Sequence, residues 1–385
     1  MFSRRHFLQK TGAVALLGAM PLDVLHAKGA QTLKGPSKTQ LIEILKKNGQ
    51  ASSVVENSDG SSTLVLPHGG RILGLYLPGS EENLLWMNPR LGDAKTAAEY
   101  FASDDWHNSG GDRTWLAPEV DFFFPNFPDT SKYFQQRSLD PGGFRVVESD
   151  RQHVTLQDEL TMKAYRRGQE YSLRLSKAVS GASNPLRKKA GGLGKGVNYA
   201  GYTLRTTLEI LKAPKDAGYV GLWNLLQMPN GGEMIVPTYA RTEPTIFFGD
   251  VPESDLVVED RAVRYRMNKP GEYKICVPAV ACTGRAGYFY KLGDEAVLIV
   301  RNFDVDPSGE YVDVWSTDLD DNGYVFQACS IHNESLGQFS ELEYHVPAIG
   351  ANTGRSRSED VSSVWAFRGN PVQVASISKF LLGLG

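Results

Sequence analysis

The feature that most limits the possible folds is a series of short apolar runs separated by turn residues, with almost no helical pattern between them. Such runs are typical of β-strands, and about fifteen of them without intervening helices indicate stacked antiparallel sheets instead of a βαβ protein. We therefore predict an all-β architecture. The runs cover residues 62–66, 71–77, 83–87, 144–148, 153–156, 170–177, 202–211, 262–266, 273–277, 296–303, 311–316, 324–331, 341–346, 363–367 and 372–377.

Alternation of polar and apolar residues supports this prediction. Along residues 171–176 the two kinds of side chain trade places at every step, as a half-buried strand requires. Only residues 41–47 predict a helix. No repeat occurs at a fixed period, which argues against a propeller. Because no second change in composition marks a domain boundary, we expect an unstructured leader at residues 28–40 and a single domain over residues 41–385.

Residues 1–27 have the organisation of an export signal. Arg4 and Arg5 precede a short apolar run, which falls below the roughly 20 residues that a membrane span needs. The paired arginines favour the twin-arginine route, with an ordinary secretory signal as the alternative. Cleavage is expected after Ala27 or Ala30. We expect the twin-arginine translocase as a partner during export, and a periplasmic or secreted mature protein that is not attached to a membrane.

The charge balance and the cysteines restrict the class of protein further. Lys plus Arg number 41 against 44 Asp plus Glu, so no basic field attracts nucleic acid or an anionic membrane. Three cysteines are too few for a disulfide framework in a chain of this length. Cys276 and Cys282 pair only if the chain folds back between them. An unpaired buried thiol is the alternative.

Residues 104–119 hold the densest cluster of functional residue types, with two tryptophans, His107, a charge pair and a double glycine. Sugars bind to aromatic faces and to groups that form paired, charge-assisted hydrogen bonds. The candidate sugar-binding residues in the cluster are Asp112, Arg113, Trp115 and Glu119. The alternative is a structural turn in which a buried Asp–Arg pair joins two strands.

A second candidate region is the predicted strand at residues 341–346. On a strand, Glu341, Glu343 and His345 share one face, because successive side chains point to opposite sides. Two carboxylates and an imidazole on one face suit acid–base chemistry at neutral pH. The alternative is a solvated outer face. We favour a functional site.

Several other motifs are left open or excluded. Arg71, after a double glycine, either reaches into a site or caps a sheet edge. Residues 318–323 resemble the start of a calcium loop, but the twelfth position is Cys329 instead of an acid. No histidines have the paired spacing of a metal site, and no serine-hydrolase elbow occurs. We expect no metal and no cofactor.

The order of several motifs resembles the galactose mutarotase-like superfamily, and within it a family of exported bacterial proteins. These motifs lie at residues 69–72, 109–119, 222–227, 339–343, 347–348, 365–369 and 381–383, and together they span nearly all of residues 50–385. The resemblance implies a supersandwich of large antiparallel sheets with a carbohydrate ligand in the concave face of a sheet. Gln227, in the mid-chain motif, is a further candidate for sugar binding.

The resemblance also implies a mechanism. In aldose mutarotases a C-terminal glutamate takes the proton of the anomeric hydroxyl, and a mid-chain histidine protonates the ring oxygen. Glu343, or Glu341 beside it, occupies the region of the glutamate, but the histidine is missing from its usual motif. His107 or His345 is the expected substitute, and we take His107 as the first choice.

Three functional hypotheses follow for an exported protein of this kind. The leading hypothesis is an aldose epimerase-like enzyme with Glu343 as base and with Arg71, Asp112 and Arg113 holding sugar hydroxyls. The second hypothesis is a carbohydrate-binding protein without catalysis. The third is a polysaccharide lyase-like enzyme, although a lyase cleft would be expected to carry more Arg and Lys.

Overall fold

The computed structural model describes residues 35–188, 192–314, 323–334 and 336–385. The predicted export signal, with its cleavage point, and most of the calcium-like loop at residues 318–323 lie outside the described residues. The export signal and the exclusion of a calcium loop therefore both stay predictions from sequence.

Most of the described chain is organised in strands. In chain order they are β1 (Ser53–Glu56), β2 (Ser62–Leu66), β3 (Arg71–Tyr76), β4 (Asp112–Ala117), β5 (Arg145–Ser149), β6 (His153–Ala164), β7 (Gln169–Gly181), β8 (Asn198–Lys212), β9 (Tyr219–Pro229), β10 (Glu233–Pro237), β11 (Thr245–Phe248), β12 (Leu256–Val258), β13 (Ala262–Arg266), β14 (Gly271–Val277), β15 (Arg285–Leu292), β16 (Glu295–Asn302), β17 (Phe326–Asn333), β18 (Gly337–His345), β19 (Ile349–Gly350) and β20 (Arg357–Gly369).

These strands form two large sheets in which neighbouring strands run antiparallel. Sheet 1 has the order β1-β2-β3-β4-β9-β18-β17-β14-β11, and the short β19 pairs with β9. Sheet 2 has the order β12-β13-β10-β15-β16-β20-β8-β7-β6-β5. The prediction of an all-β fold with large antiparallel sheets is confirmed.

Four helices lie outside the sheets in the described part of the chain: α1 (Lys38–Lys47), α2 (Ala94–Ala102), α3 (Glu119–Phe122) and α4 (Pro371–Leu382). The first two pack against the outer side of β2 and β3 through an apolar cluster that includes Leu45 and Tyr100. The last packs against the outer side of sheet 2, where Ile377 meets Leu298 and Phe367. Among the described residues, no helix is both long and apolar enough to cross a bilayer.

The main core lies between the two sheets, and the alternation of side chains decides which residues enter it. Along β7, buried residues alternate with partly exposed ones. The central strands β9 and β18 are different, because both of their faces are covered. On β18, Leu342 and Tyr344 enter the core, whereas Glu341 and Glu343 point to the opposite face of sheet 1.

Some predicted boundaries and elements differ from the structure. Residues 372–377, predicted as a strand, belong to helix α4, so that prediction is wrong. Asn370 caps this helix, Pro371 opens it and Gly383 ends it in the left-handed conformation. Residues 83–87 form no strand and contribute only an isolated bridge. Helix α1 begins at Lys38, inside the expected leader, because Ser37 provides a capping box.

The cysteines are buried. Cys282 carries a thiol that is not in a disulfide, which decides the question of a bridge to Cys276 in favour of the unbridged form. Burial raises the pKa of Cys282 to about 12, so its thiol stays protonated at neutral pH.

Candidate functional site

A cavity of about 620 Å³ opens on the face of sheet 1 that points away from sheet 2. Its lining combines charged and aromatic side chains, which is the composition expected of a polar ligand site with apolar walls. The charged residues are Arg113, Glu119, Glu272, Lys274, Glu341 and Glu343, and the aromatic residues include Trp106, Trp115, Tyr133, Trp223, Phe248 and Phe339.

Strand register explains why residues distant in sequence meet here. Glu341 of β18 pairs in register with Gln227 of β9 on one side and with Cys329 of β17 on the other. Cys329 in turn neighbours Lys274 of β14. Glu343 lies two residues further along β18 and therefore points to the same face. The floor of the cavity is thus built from four adjacent strands.

The Glu341 carboxylate is held by two partners. Arg113 Nη1 lies 2.8 Å from Glu341 Oε1, and Gln227 Nε2 donates a hydrogen bond of 3.0 Å to the same oxygen. The Arg113 guanidinium also lies over the indole rings of Trp115 and Trp106, at 4.2 and 5.4 Å from their centroids. Cation–π contacts of this kind fix the direction of the guanidinium. Arg113, Trp115, Gln227 and Glu341, all predicted site residues, therefore come together.

One carboxyl oxygen of Glu343 has hydrogen-bonding partners, and the other has none among the described residues. Trp223 Nε1 and Lys274 Nζ lie 2.9 and 3.0 Å from Oε2. Oε1 is buried and has no hydrogen-bond partner among the described residues. Burial raises the pKa of Glu343 to about 8, although the Lys274 ammonium opposes this change. A carboxyl with a pKa near neutrality can both release and accept a proton at pH 7.

Lys274 stays charged in this setting. Burial alone would lower the pKa of Lys274, but the carboxylates of Glu343 and Glu119 raise it well above its usual value. Its ammonium also lies 4.7 Å from the centroid of Trp223. Lys274 therefore acts as a fixed positive charge beside Glu343.

Glu119 supplies a second carboxyl with a shifted pKa. It is the first residue of α3, and its backbone N–H donates to Asp313 Oδ1 at 2.7 Å. The hydroxyl of Tyr133 donates to Glu119 Oε1 at 2.8 Å. Burial raises the pKa of Glu119 to about 7, with Lys274 opposing the change. Two carboxyls of the cavity thus titrate close to neutral pH.

His345 lies beneath the wall of the cavity instead of in its lining. Its ring stacks on Trp223 with 5.4 Å between centroids, and Nε2 lies 3.7 Å from Asp313 Oδ2. Burial lowers the pKa of His345 to about 4, so the imidazole is neutral at pH 7. His345 shares the strand face of Glu341 and Glu343 as the alternation predicts, but it supports Trp223.

Asp112 and Arg71 lie outside the cavity. Asp112 points between the sheets, where Arg301 Nη1 lies 2.9 Å from Oδ2 and the hydroxyl of Tyr202 donates to the same oxygen at 2.7 Å. Arg71 is fully buried and its Nη2 lies 2.8 Å from Asp140 Oδ2. The structure therefore assigns both residues to buried ion pairs instead of to the cavity surface.

His107 is also separate from the cavity lining. Its Nδ1 lies 2.9 Å from His68 Nε2, and its Nε2 lies 3.0 Å from the carbonyl oxygen of Ser103. Burial lowers the pKa of His107. Both ring nitrogens are thus engaged with neighbours on the far side of Trp106, the residue before it in the chain that does reach the cavity.

Sequence reasoning missed several residues at the site, among them Lys274, Tyr133 and Asp313. Lys274 had a signal, because it is a lone charge in an apolar run on a predicted strand. Tyr133 and Asp313 had none. Tyr133 lies in a long segment without regular structure. Asp313 contacts the site because it accepts a hydrogen bond from the backbone N–H of Glu119.

The cavity also contains a group of possible metal ligands. Ligand atoms of Cys329, Glu341 and Glu343 lie within 4.8 Å of one another. Each carboxylate is already paired with a cation, Arg113 or Lys274, so a metal ion would have to displace an ion pair. Burial raises the pKa of the Cys329 thiol well above its usual value. The expectation of no metal and no cofactor stays a prediction.

The fold and this site together define the class of protein: an all-β two-sheet sandwich with a charged, aromatic-lined cavity on the outer face of one sheet. The chain belongs to a family of unknown function, DUF6786, whose sequence profile matches residues 39–385. No curated protein matches the sequence.

Solved structures of aldose epimerase-type proteins are similar to this chain in outline. A candidate aldose 1-epimerase of Escherichia coli K12 is 12% identical, with a TM-score of 0.47 over 83% of this chain and 99% of its own. A galactose 1-epimerase of Lactobacillus acidophilus is 9% identical, with a TM-score of 0.42 over 83% of this chain and 95% of its own. An aldose epimerase homologue of Caenorhabditis elegans is 7% identical, with a TM-score of 0.41 over 83% of this chain and 99% of its own. These likenesses assign no role to any residue.

Proposed function

We propose that the cavity binds a carbohydrate and that Glu343 exchanges a proton with the bound sugar. The observation that carries this proposal is the state of the Glu343 carboxyl. One oxygen is held by Trp223 and Lys274, and the other is buried without a partner among the described residues. When the carboxyl is ionised, this oxygen can accept a proton from a hydroxyl of a ligand in the cavity, which Glu343 lines.

The surrounding residues support a sugar as the ligand. Trp106, which lines the cavity and is only partly buried, offers an apolar surface for the C–H face of a pyranose ring. Arg113 and Glu341 offer charge-assisted hydrogen bonds to hydroxyl groups. Because both carry charges that compensate each other, they suit a neutral sugar.

The reaction that we propose is the exchange of sugar anomers. Glu343 takes the proton from the anomeric hydroxyl while Glu119 gives a proton to the ring oxygen, and the bond between the anomeric carbon and the ring oxygen breaks. Rotation of the aldehyde and closure on its other face, with both proton transfers reversed, gives the other anomer and restores both carboxyls. Burial raises the pKa of both carboxyls, to about 8 and about 7, so either of them can hold or release a proton near neutral pH. Glu119 takes the place of the acid for which we first chose His107.

Anomer exchange can be measured directly. The α-anomers of D-glucose, D-galactose and D-xylose would be dissolved with the mature protein, and the approach to equilibrium would be followed by proton NMR. We expect acceleration over the spontaneous rate for at least one sugar. Glu343→Gln should lower turnover by about 10²–10⁴ while the sugar still binds, because only the proton acceptor is lost. Glu295→Gln, an exposed change far from the cavity, is the control.

Two outcomes would contradict parts of the proposal. Sugar binding without any acceleration in the wild-type protein would make the chain a carbohydrate-binding protein and remove the catalytic part. No saturable binding of any of the three sugars, together with no acceleration, would reject the carbohydrate assignment for this cavity.

We also propose that the protein acts outside the cytoplasm after export by the twin-arginine route. The support is the Arg4-Arg5 pair before a short apolar run. Replacement of both arginines by lysine should leave unprocessed precursor in the cytoplasm, as seen by fractionation and immunoblotting. Normal processing and release of this double variant would contradict the proposal.

A further inference from the structure

Three donors converge on one oxygen of a residue outside the cavity, Asp140. Arg71 Nη2, Trp106 Nε1 and Trp115 Nε1 lie 2.8, 3.1 and 2.9 Å from Asp140 Oδ2. Asp140 is buried, so each of these charge-assisted bonds is protected from water. Asp140 had no signal in the sequence, because its partners lie 25 to 69 residues earlier in the chain.

Asp140 itself is fixed on both sides. Its backbone N–H donates to the carbonyl oxygen of Gln136 at 3.0 Å, and the Gln136 side chain donates to Phe122 and Lys163 carbonyls. Its partner Arg71 has further bonds, of 3.3 and 3.4 Å, to backbone carbonyls of the segment that carries Trp106. The carboxylate therefore has a set position relative to both indoles.

The two indoles in turn shape the cavity. Trp106 and Trp115, here called the aromatic wall, both line it, with 5.4 Å between ring centroids and 52° between ring planes. Arg113 lies over both rings and reaches Glu341. A rotation of either indole would thus move the apolar surface and the guanidinium together.

We propose that Asp140, neutralised by Arg71, is a positioning residue that sets the geometry of the aromatic wall and so the affinity for the sugar, an inference that rests on the proposed function. Asp140 does not line the cavity. It acts through the indole N–H groups, which its carboxylate keeps turned away from the cavity. Trp115 then keeps a ring face for Arg113, and the partly buried Trp106 keeps one for the ligand.

A purely structural ion pair would have a different effect, and the chain contains a matched control. Asp112 and Arg301 form a second buried Asp–Arg pair, in which a tyrosine hydroxyl, that of Tyr202, takes the place of the indole donors. Asp112→Asn and Asp140→Asn remove the same charge from the same kind of pair. Only Asp140→Asn alters the carboxylate that accepts hydrogen bonds from the two indoles of the aromatic wall.

The geometry of the wall can be read without any ligand. Protein labelled with 5-fluorotryptophan has one fluorine for each of its six tryptophans. The resonances of Trp106 and Trp115 would be assigned with Trp106→Phe and Trp115→Phe. We expect Asp140→Asn to move both resonances and Asp112→Asn to leave both unchanged. Unmoved resonances in a folded Asp140→Asn protein would overturn the proposal, whatever the sugar data show.

Binding then tests the consequence. D-glucose, D-galactose and D-xylose would be titrated by calorimetry, and the sugar with the tightest binding would be used. Asp140→Asn should weaken its binding about tenfold, the loss expected when charge-assisted bonds to two donors are removed. Asp112→Asn should change the affinity by less than about twofold while still lowering the unfolding temperature.

Trp106→Phe covers the case in which Asp140→Asn does not fold. Trp106→Phe keeps an aromatic ring but cannot donate to Asp140, so it should weaken sugar binding by itself. Where both single variants fold, their losses should be less than additive in the double variant, because both remove the same bond. Full additivity, or unchanged binding in Trp106→Phe, would contradict the positioning role. Absence of sugar binding in the wild type would reject the proposed function but leave the fluorine test intact.

Discussion

Asp112 and Arg113 are neighbours in the chain, yet they belong to opposite faces of sheet 1. Asp112 points between the sheets and forms an ion pair with Arg301, in which both side chains are fully buried. Arg113 points into the cavity and forms an ion pair with Glu341. One strand thus supplies one member to each of two Arg–carboxylate pairs.

The two pairs differ in what else surrounds them. Around Asp112, Oδ2 is taken by Arg301 and Tyr202, and the second sheet closes the space. Around Glu341 the space is an open cavity, which Glu343 beside it also lines. The open space beside it therefore distinguishes the Arg113–Glu341 pair from the Asp112–Arg301 pair. The closed pair serves the packing of the two sheets.

The largest loss of stability should come from breaking the closed pair of Asp112 and Arg301. Asp112→Ala leaves the Arg301 charge buried without its carboxylate, which should lower the free energy of unfolding by about 3–5 kcal/mol. Urea denaturation measures this loss. The double variant Asp112→Leu with Arg301→Met should recover most of it, because no charge is then left alone. Failure of the double variant to recover stability would show that the pair is not the cause.

Breaking the Arg113–Glu341 pair, which borders the cavity, should lower the free energy of unfolding less and weaken sugar binding more. Glu341→Ala leaves Arg113 held by Trp106 and Trp115 and within reach of water from the cavity. We expect a loss of about 1–3 kcal/mol in the free energy of unfolding, together with weaker sugar binding in calorimetry. A loss as large as that of Asp112→Ala, with unchanged binding, would abolish the distinction between the two faces.

The stability that the cavity face of sheet 1 contributes should also depend on pH. Burial raises the pKa of Glu343 from 4.5 to about 8, so the folded state holds a proton that the unfolded state releases. Its contribution to stability is therefore complete below pH 4.5 and is lost as the pH rises through about 8. Glu343→Gln should make the fall of the unfolding temperature between these pH values shallower.

Glu359 provides the control for this titration. Its hydrogen bond from Arg357 lowers its pKa, so its contribution to stability is lost only as the pH falls through that lowered value. Glu359→Gln should leave the slope in the neutral range unchanged. An equal change of slope in both variants would show that general charge effects, and not the cavity, set the response.

The smallest effect is expected for an exposed charge pair on sheet 2. Arg174 donates to Glu159 and Glu209 on the outer face, where water competes for all three side chains. Arg174→Gln should change the free energy of unfolding by less than about 1 kcal/mol. Urea denaturation in low and high salt would detect a larger, salt-dependent loss, which would contradict the ranking of the three environments.

The all-β fold could be predicted because alternation and turn residues are local signals. Residues 62–66 and 262–266 were predicted with the bounds that the structure has. Helix α4 was missed for a physical reason. Its apolar residues also fit a strand over a short window, and the signals that decide in favour of helix, Asn370-Pro371 and Gly383, lie outside the run.

The candidate site could be predicted only in part, and strand alternation again separates success from failure. Glu341 and Glu343 are two residues apart and share the cavity, as predicted. Asp112 and Arg113 were assigned to one site as members of the dense cluster at residues 104–119, although neighbouring residues on a strand point to opposite faces. Asp140 meets its partners through contacts between distant segments, which local patterns do not reveal.

The position of β18 and β20 in the sheets has a consequence for biosynthesis. Strand β18 joins β9 to β17, and β20 joins β8 to β16, so each sheet is divided in two until residues 337–369 have left the ribosome. Before that point the nascent chain carries half-sheets whose unpaired edges can associate with other chains. Translation must therefore proceed almost to helix α4 before the halves of both sheets are joined. A chain that stops earlier exposes the edges of β8 and β9 to aggregation.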